Sequence, residues 1–186
     1  MSAVILVRHA LPEIERGLAS KLWGLSESSR EDCVLLAHAL PAPVAGAVVT
    51  SDERKARETA EVIALRLGLQ VETDPRLAEV DRPQVWDRDY REVAAAYLAG
   101  TPEPGWEARE AVVGRFAAAV TDARVRAEGA DVIVVSHGMA ISLWVASVCT
   151  IDLPAWWREL TLPDAWRVDP AAGTVEHLWM GGTSGD

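Results

Sequence analysis

The chain is poor in several things, and each shortage excludes something. Of its 186 residues only two are cysteine, Cys33 and Cys149, too few for the disulfide framework of a small secreted fold. Both lie in segments with helical patterning, where reduced, buried thiols are expected. Long apolar runs are missing too. The most apolar stretch, Met139–Cys149, falls far below the roughly 18 residues that a membrane span needs. Met1–Ala10 has no basic start and reaches Arg8 directly after the short apolar run Ala3–Val7, which does not match a signal peptide. Positive charge is in deficit: 18 Lys and Arg against 28 Asp and Glu leave a net charge of −10. An acidic surface of this kind repels nucleic acid and anionic membranes, so neither is expected as a partner. Any anionic ligand would need a local positive pocket. The four histidines, His9, His38, His137 and His177, have no metal-ligand spacing such as H-x-x-x-H, so no metal is expected. Lysine is scarcest among the cations, with only Lys21 and Lys55 beside 16 arginines. A soluble, cytoplasmic protein fits these absences.

What is present suffices for a core. Forty-nine per cent of the residues are hydrophobic and 25% are charged, as in an ordinary globular domain. The length predicts a single domain over residues 1–186. Three short runs, Ala3–Val7, Ala45–Val49 and Val132–Val135, are rich in β-branched residues and do not alternate. That pattern predicts strands covered on both faces of a parallel sheet. Helical patterns separate them. Ser51 is placed to cap a helix over Glu53–Leu67, with Ala56, Ala60, Ile63, Ala64 and Leu67 on one face and Gly68 at its end. Ala108–Glu128, Arg30–Leu40 and Met139–Cys149 predict three more helices. Strand–helix alternation predicts an α/β three-layer sandwich, a mostly parallel central sheet with helices on both faces. Residues 74–105, rich in proline and charge, predict an excursion over one sheet edge with a short helix near Tyr90–Leu98. Leu160–Met180 predicts a hairpin turning at Pro170–Gly173, and residues 181–186 a frayed tail.

The chemistry lies where the strands end. The first run is followed by Arg8-His9, the second by Thr50-Ser51-Asp52, and the third by Ser136-His137-Gly138. In open α/β sheets ligands bind outside the carboxyl ends of the strands. Three polar strand ends therefore converge on one crevice, and two of the four histidines share it. The helices opening there add free N–H groups and positive dipole ends, which suit an anion.

These residues carry a resemblance. Val7-Arg8-His9-Ala10 with Pro12, and Val135-Ser136-His137-Gly138, resemble the two histidine motifs of the histidine phosphatase superfamily, the phosphoglycerate mutase-like proteins. Between them, Ser51-Asp52-Glu53-Arg54-Lys55-Ala56-Arg57-Glu58-Thr59-Ala60 resembles the serine-to-Thr-Ala helix signature of that family. Leu77-Ala78-Glu79 resembles its proton-donor segment. Trp23-Gly24-Leu25-Ser26 and Gly105-Trp106-Glu107 are looser matches. The pieces occur in family order over most of the chain, which is what makes the set specific.

The resemblance implies a phosphoglycerate mutase-like fold and a metal-independent phosphomonoesterase of a small phosphorylated metabolite, with no cofactor, as a monomer or homodimer. It implies His9 as the nucleophile that forms a phosphohistidine, and Arg8, His137, Lys55, Ser51 and Gly138 as the groups holding the phosphoryl oxygens. Glu79 is implied as the acid that protonates the leaving oxygen and then activates water. The chain departs from the common pattern in three places. Lys55 stands where the family usually has arginine, which keeps the charge but loses the planar fork; Arg54 or Arg57 could reach the pocket instead. Ala10-Leu11-Pro12-Glu13 replaces the usual Gly-Glu-Thr continuation, which bears on specificity. Asp81 is a second candidate for the acid, and Glu107 is either a further acid near the pocket or a charge at a helix N-terminus. Two alternatives stay open: phosphoryl transfer of the phosphoglycerate mutase type, and a non-catalytic phospho-ligand binding module. His38 is expected at a surface or helix end, and His177 as a cross-strand partner. Trp156-Trp157 and Trp166 are expected in packing or at a substrate mouth.

Overall fold

A computed structural model describes residues 3–41, 47–84 and 89–184. Its strands are β1 (Val4–Arg8), β2 (Ala47–Thr50), β3 (Gln70–Thr73), β4 (Val132–Ser136), β5 (Thr161–Asp169) and β6 (Thr174–Ser184). Its helices are α1 (Glu27–Ala39), α2 (Arg54–Leu67), α3 (Tyr90–Ala99), α4 (Arg109–Arg126), α5 (Gly138–Val148) and α6 (Leu153–Glu159). The six strands form one sheet in the order β3-β2-β4-β1-β5-β6. The first four pair in parallel, while β5 joins β1 antiparallel and β6 joins β5 antiparallel. The fold is thus α/β with a mostly parallel sheet, as the alternation of elements predicts.

The unalternating runs become strands buried on both faces. Val4 and Leu6 of β1, with Val132 and Val134 of β4, face a core shared with α3, α4 and α5. Ile5 and Val7, with Ile133 and Val135, face the core under α1 and α2. Residues such as Leu36, Ile63, Phe116 and Ile141 are wholly buried, each contributing about 1.5–3 kcal/mol over exposure. The α5 helix is buried along most of its length, from Gly138 to Val145, so its sequence shows no polar stripe.

Local chemistry sets the element ends. Ser26 caps α1 by accepting the Ser29 N–H, which starts the helix three residues before the expected Arg30. Gly68, at φ 69°, closes α2 in the left-handed conformation that glycine adopts freely. Ser51 is not the cap of that helix. Glu53 holds the N-cap position, without a side-chain cap, and Ser51 Oγ instead accepts the Glu53 N–H at 3.2 Å. Asp89 caps α3 through the Arg91 and Glu92 N–H groups.

Residues 74–84 and 89–105 depart from the expected ride over a sheet edge, while 85–88 lie outside the described residues. Leu77, Val80, Ala94, Tyr97 and Leu98 pack into the core on the α4–α5 face, because apolar positions within this charged stretch are spaced to reach it. The terminal hairpin forms as expected, but β6 runs on to Ser184, paired with Thr161. Strand pairing thus replaces the frayed tail expected from Gly181; residues 185–186 lie outside the described residues, as does Ala45 of the second apolar run. The short strand β3 and the helix α6 are additions that the apolar pattern does not announce.

Candidate active site

Three neighbouring parallel strands deliver the three polar ends to one place. Backbone pairing continues one residue past each strand: the His9 N–H donates to Ser136 O at 3.0 Å, and the Ser51 N–H to Val135 O at 3.1 Å. The register Arg8↔Ser136 then sets His9 beside His137, with ring centroids 5.0 Å apart in an edge-on arrangement. His9 is buried, at 7% exposure, and His137 completely so.

The His9 tautomer follows from its partner. Nδ1 lies 2.8 Å from Ala10 O, and a carbonyl oxygen only accepts, so Nδ1 carries the hydrogen. The lone pair is therefore on Nε2. Burial pushes the His9 pKa well below its usual value, reinforced by His137, Lys55 and Arg8. Burial does the same to His137, aided by Lys55, Arg115 and Arg8. Both imidazoles are thus neutral near pH 7. His137 Nε2 meets Ser51 Oγ at 2.8 Å, and its Nδ1 is buried without a hydrogen-bond partner.

Arg8 closes another side. Its Nη1 donates to Leu160 O at 3.0 Å and to Thr161 O at 3.2 Å, while its Nε is buried without a partner. Orphan nitrogens of this kind on Arg8 and His137 are what a site for an oxyanion leaves empty-handed. Gly138 makes room for the guanidinium, since a Cβ there would sit 3.1 Å from Arg8 Nε. The Glu79 carboxylate rests on the N-terminus of α5, accepting from Ala140 N at 3.0 Å and Met139 N at 3.3 Å, and from its neighbour Val80 N. Arg8, Glu79 and Gly138 border a cavity of about 380 Å³ that is also lined by Tyr90, Ala95, Trp157, Leu160 and Leu162, with Arg91, Glu92 and Arg158.

Lys55 rather than its flanking arginines turns inward. It is buried at 6% exposure and acts electrostatically on both histidines. Arg54 instead pairs on the surface with Glu58 at 2.7 Å, and Arg57 is exposed. Thr59 ties this helix to the first histidine loop: its Oγ accepts the Ala10 N–H at 3.1 Å and donates to Lys55 O at 2.8 Å. Asp81 and Glu107 line an adjoining cleft that Glu79 also borders, where Glu107 pairs with Arg115 at 2.8 Å. Of the remaining expectations, His38 sits at the end of α1 against Arg66, and His177 pairs with the buried Asp164 at 2.6 Å. Trp157 lines the cavity, whereas Trp156 packs on Trp166 at 5.0 Å.

One site residue escapes the sequence reasoning. The Glu53 carboxylate pairs with Lys55, accepts the Glu79 N–H at 3.0 Å and lies 3.5 Å from His137 Nε2. A carboxylate two residues from a lysine does not face it on a regular helix. It does here because Glu53 is extended, with φ −71° and ψ 136°. The signal that could have found it is an acid beside a rare lysine at a helix start. Among the described residues no three His, Cys, Asp or Glu side chains gather as metal ligands, and no helix is long and apolar enough to cross a membrane.

Comparison with known proteins bears on this arrangement. The model of the histidine phosphatase superfamily, branch 1, matches residues 4–167. A relative in Photorhabdus laumondii, named "Probable phosphoglycerate mutase GpmB", is 29% identical over 96% of this chain and 95% of its own length. One in Serratia proteamaculans with the same name is 28% identical over 84% and 78%. Among solved structures, Bacillus stearothermophilus YhfR superposes with a TM-score of 0.73 at 23% identity, covering 99% of this chain and 98% of its own. A mycobacterial glucosyl-3-phosphoglycerate phosphatase gives a TM-score of 0.70 at 23% identity, with 89% of each chain covered. Two buried histidines at adjacent strand ends, framed by an arginine and the signature helix, are thus read by a family model that spans most of the chain, which belongs to the histidine phosphatase superfamily, branch 1.

Proposed function

We propose that this chain is a metal-independent phosphomonoesterase that hydrolyses a small phosphorylated metabolite through a phosphohistidine on His9. The observation that carries this reading is the His9 tautomer: Nδ1–H is committed to Ala10 O, so the Nε2 lone pair is available beside Arg8, Lys55 and His137. His9 Nε2 attacks phosphorus and the bond to the ester oxygen breaks. Glu79 gives that oxygen its proton and the alcohol departs. Glu79 then takes a proton from water, whose oxygen displaces His9 and forms inorganic phosphate. Arg8 Nε–H, and the Nδ1–H that His137 carries when its Nε2 accepts from the Ser51 hydroxyl, have no partner within the protein and stabilise the equatorial oxygens, where charge gathers in the transition state. Ser51 orients His137, and Gly138 admits Arg8. The cavity beyond Glu79 takes the leaving group. Its wall sets Tyr90, Trp157, Leu160 and Leu162 beside Arg91, Glu92 and Arg158, which suits an alcohol larger than glycerate that carries polar groups of its own. We place the enzyme in the cytoplasm, acting as a monomer or homodimer.

A mutase reading is the second, favoured by the names of the relatives in Photorhabdus and Serratia. Hydrolysis of para-nitrophenyl phosphate in EDTA separates the readings. The phosphatase reading expects turnover that survives the chelator and falls by about 10³-fold or more in His9→Ala, with an acid-labile phosphoenzyme in wild type only. Loss of activity to EDTA would overturn it. Turnover confined to phosphoglycerate with a bisphosphate primer would establish the mutase.

A further inference from the structure

A carboxylate is an unexpected neighbour for a pocket that holds a phosphoryl group. The Glu53 side chain is 11% exposed and both its oxygens are engaged. Oε1 accepts the Glu79 N–H and approaches His137, while Oε2 pairs with Lys55 Nζ. Lys55 also donates to Ser20 O at 2.9 Å. An ammonium has three N–H donors, and two of these are already spent inside the protein. Arg8 and Lys55 are therefore in different states. Arg8 keeps a buried donor without a partner, whereas Lys55 is already answered by a negative charge.

In a poorly solvated site, a carboxylate in contact with an ammonium cancels much of its field at a third point, and meets an arriving dianion as a like charge. Resting on the phosphoryl-binding reading of the site, we propose that Glu53 is a resident anion: a positioning residue that holds Lys55 and competes with the phosphoryl group for it. A hydrolase must let go of inorganic phosphate, the product that best matches its own cations. Glu53 takes Lys55 back as the product leaves and so weakens product retention. It also explains why this position tolerates lysine. A single point charge is readily shared between two anions, whereas a guanidinium fork commits to one.

The test is calorimetric titration of inorganic phosphate into the full chain, in EDTA, with wild type, Glu53→Gln, Lys55→Met and the double variant. Glutamine keeps an acceptor for the Glu79 N–H and removes only the charge. Glu53→Ser removes it with a residue suited to a helix N-cap, should the glutamine variant fail to fold. Phosphate is expected to bind about tenfold or more tightly to Glu53→Gln. The KM for para-nitrophenyl phosphate should fall in parallel without a rise in kcat, and inhibition by phosphate should strengthen. In the Lys55→Met background most of the gain should disappear, leaving only the direct like-charge repulsion. Equal or weaker phosphate binding by Glu53→Gln would overturn the proposal and make Glu53 an anchor for Lys55. An undiminished gain without Lys55 would overturn it too. If neither wild type nor any variant binds phosphate, the phosphoryl-site reading itself falls. If wild type binds and Glu53→Gln changes nothing, the proposal falls while the phosphoryl-site reading stands.

Discussion

Arg8 and Gly138 show how little space separates a working pocket from a blocked one. Alanine is the better residue for a helix, by about 1 kcal/mol over glycine in its interior, and Gly138 opens α5. A Cβ there would lie 3.1 Å from Arg8 Nε and 3.3 Å from Cζ, tighter than ordinary contact. Gly138→Ala is therefore expected to keep or raise the melting temperature while lowering kcat/KM roughly tenfold, since small misplacements of a positioning group are costly. Thermal melts and steady-state kinetics on one preparation check both halves. Unchanged kinetics would mean that the guanidinium moves aside at no cost.

Between α2 and the loop after β1 the link is narrow, a single hydroxyl. Thr59 Oγ serves the Ala10 N–H and the Lys55 carbonyl at once, so one side chain registers the helix bearing the ammonium against the loop bearing His9. Thr59→Val keeps the shape and leaves a buried donor unsatisfied, which costs about 1–3 kcal/mol. A drop of that size in denaturant titration, together with a fall in kcat, is the expected result; a stability loss with unchanged kcat would leave Thr59 purely structural. This degree of coupling explains what could be read from sequence and what could not. The strands β1, β2 and β4 are legible because burial on both faces demands unbroken apolar runs, and His9, His137 and Lys55 because they follow strands or occupy a helix signature. The strand β3 is not, because Gln70, Val71, Glu72 and Thr73 form an edge where only Val71 turns toward the core. Glu53 is hidden for another reason: its reach to Lys55 depends on the dihedrals of a helix cap, which residue order does not display.

At the scale of the whole molecule, the buried histidines make the fold sensitive to acid. Both have pKa values depressed by burial first and by neighbouring cations after it. The unfolded chain binds a proton at each near pH 6.5 and the folded one does not. Their contribution is thus full above about pH 6.5 and is lost as pH falls from there toward the depressed folded values, by about 1.4 kcal/mol per pH unit for each histidine. Melting temperatures between pH 7.5 and 5 should decline more steeply for wild type than for His137→Gln; parallel curves would contradict the depressed pKa. The sheet order has its own consequence for how the chain is made. The strand β1 lies between β4 and β5, so neither of its neighbours exists until 128 residues later, when Val132 arrives to meet Val4. At the ribosome's roughly 5–20 residues per second, an apolar strand waits for several seconds or more with both edges open. The emerging chain is therefore a ready client for chaperones, and the pocket cannot exist until β4 and β5 have been made, because β1, the strand that brings His9, lies between them.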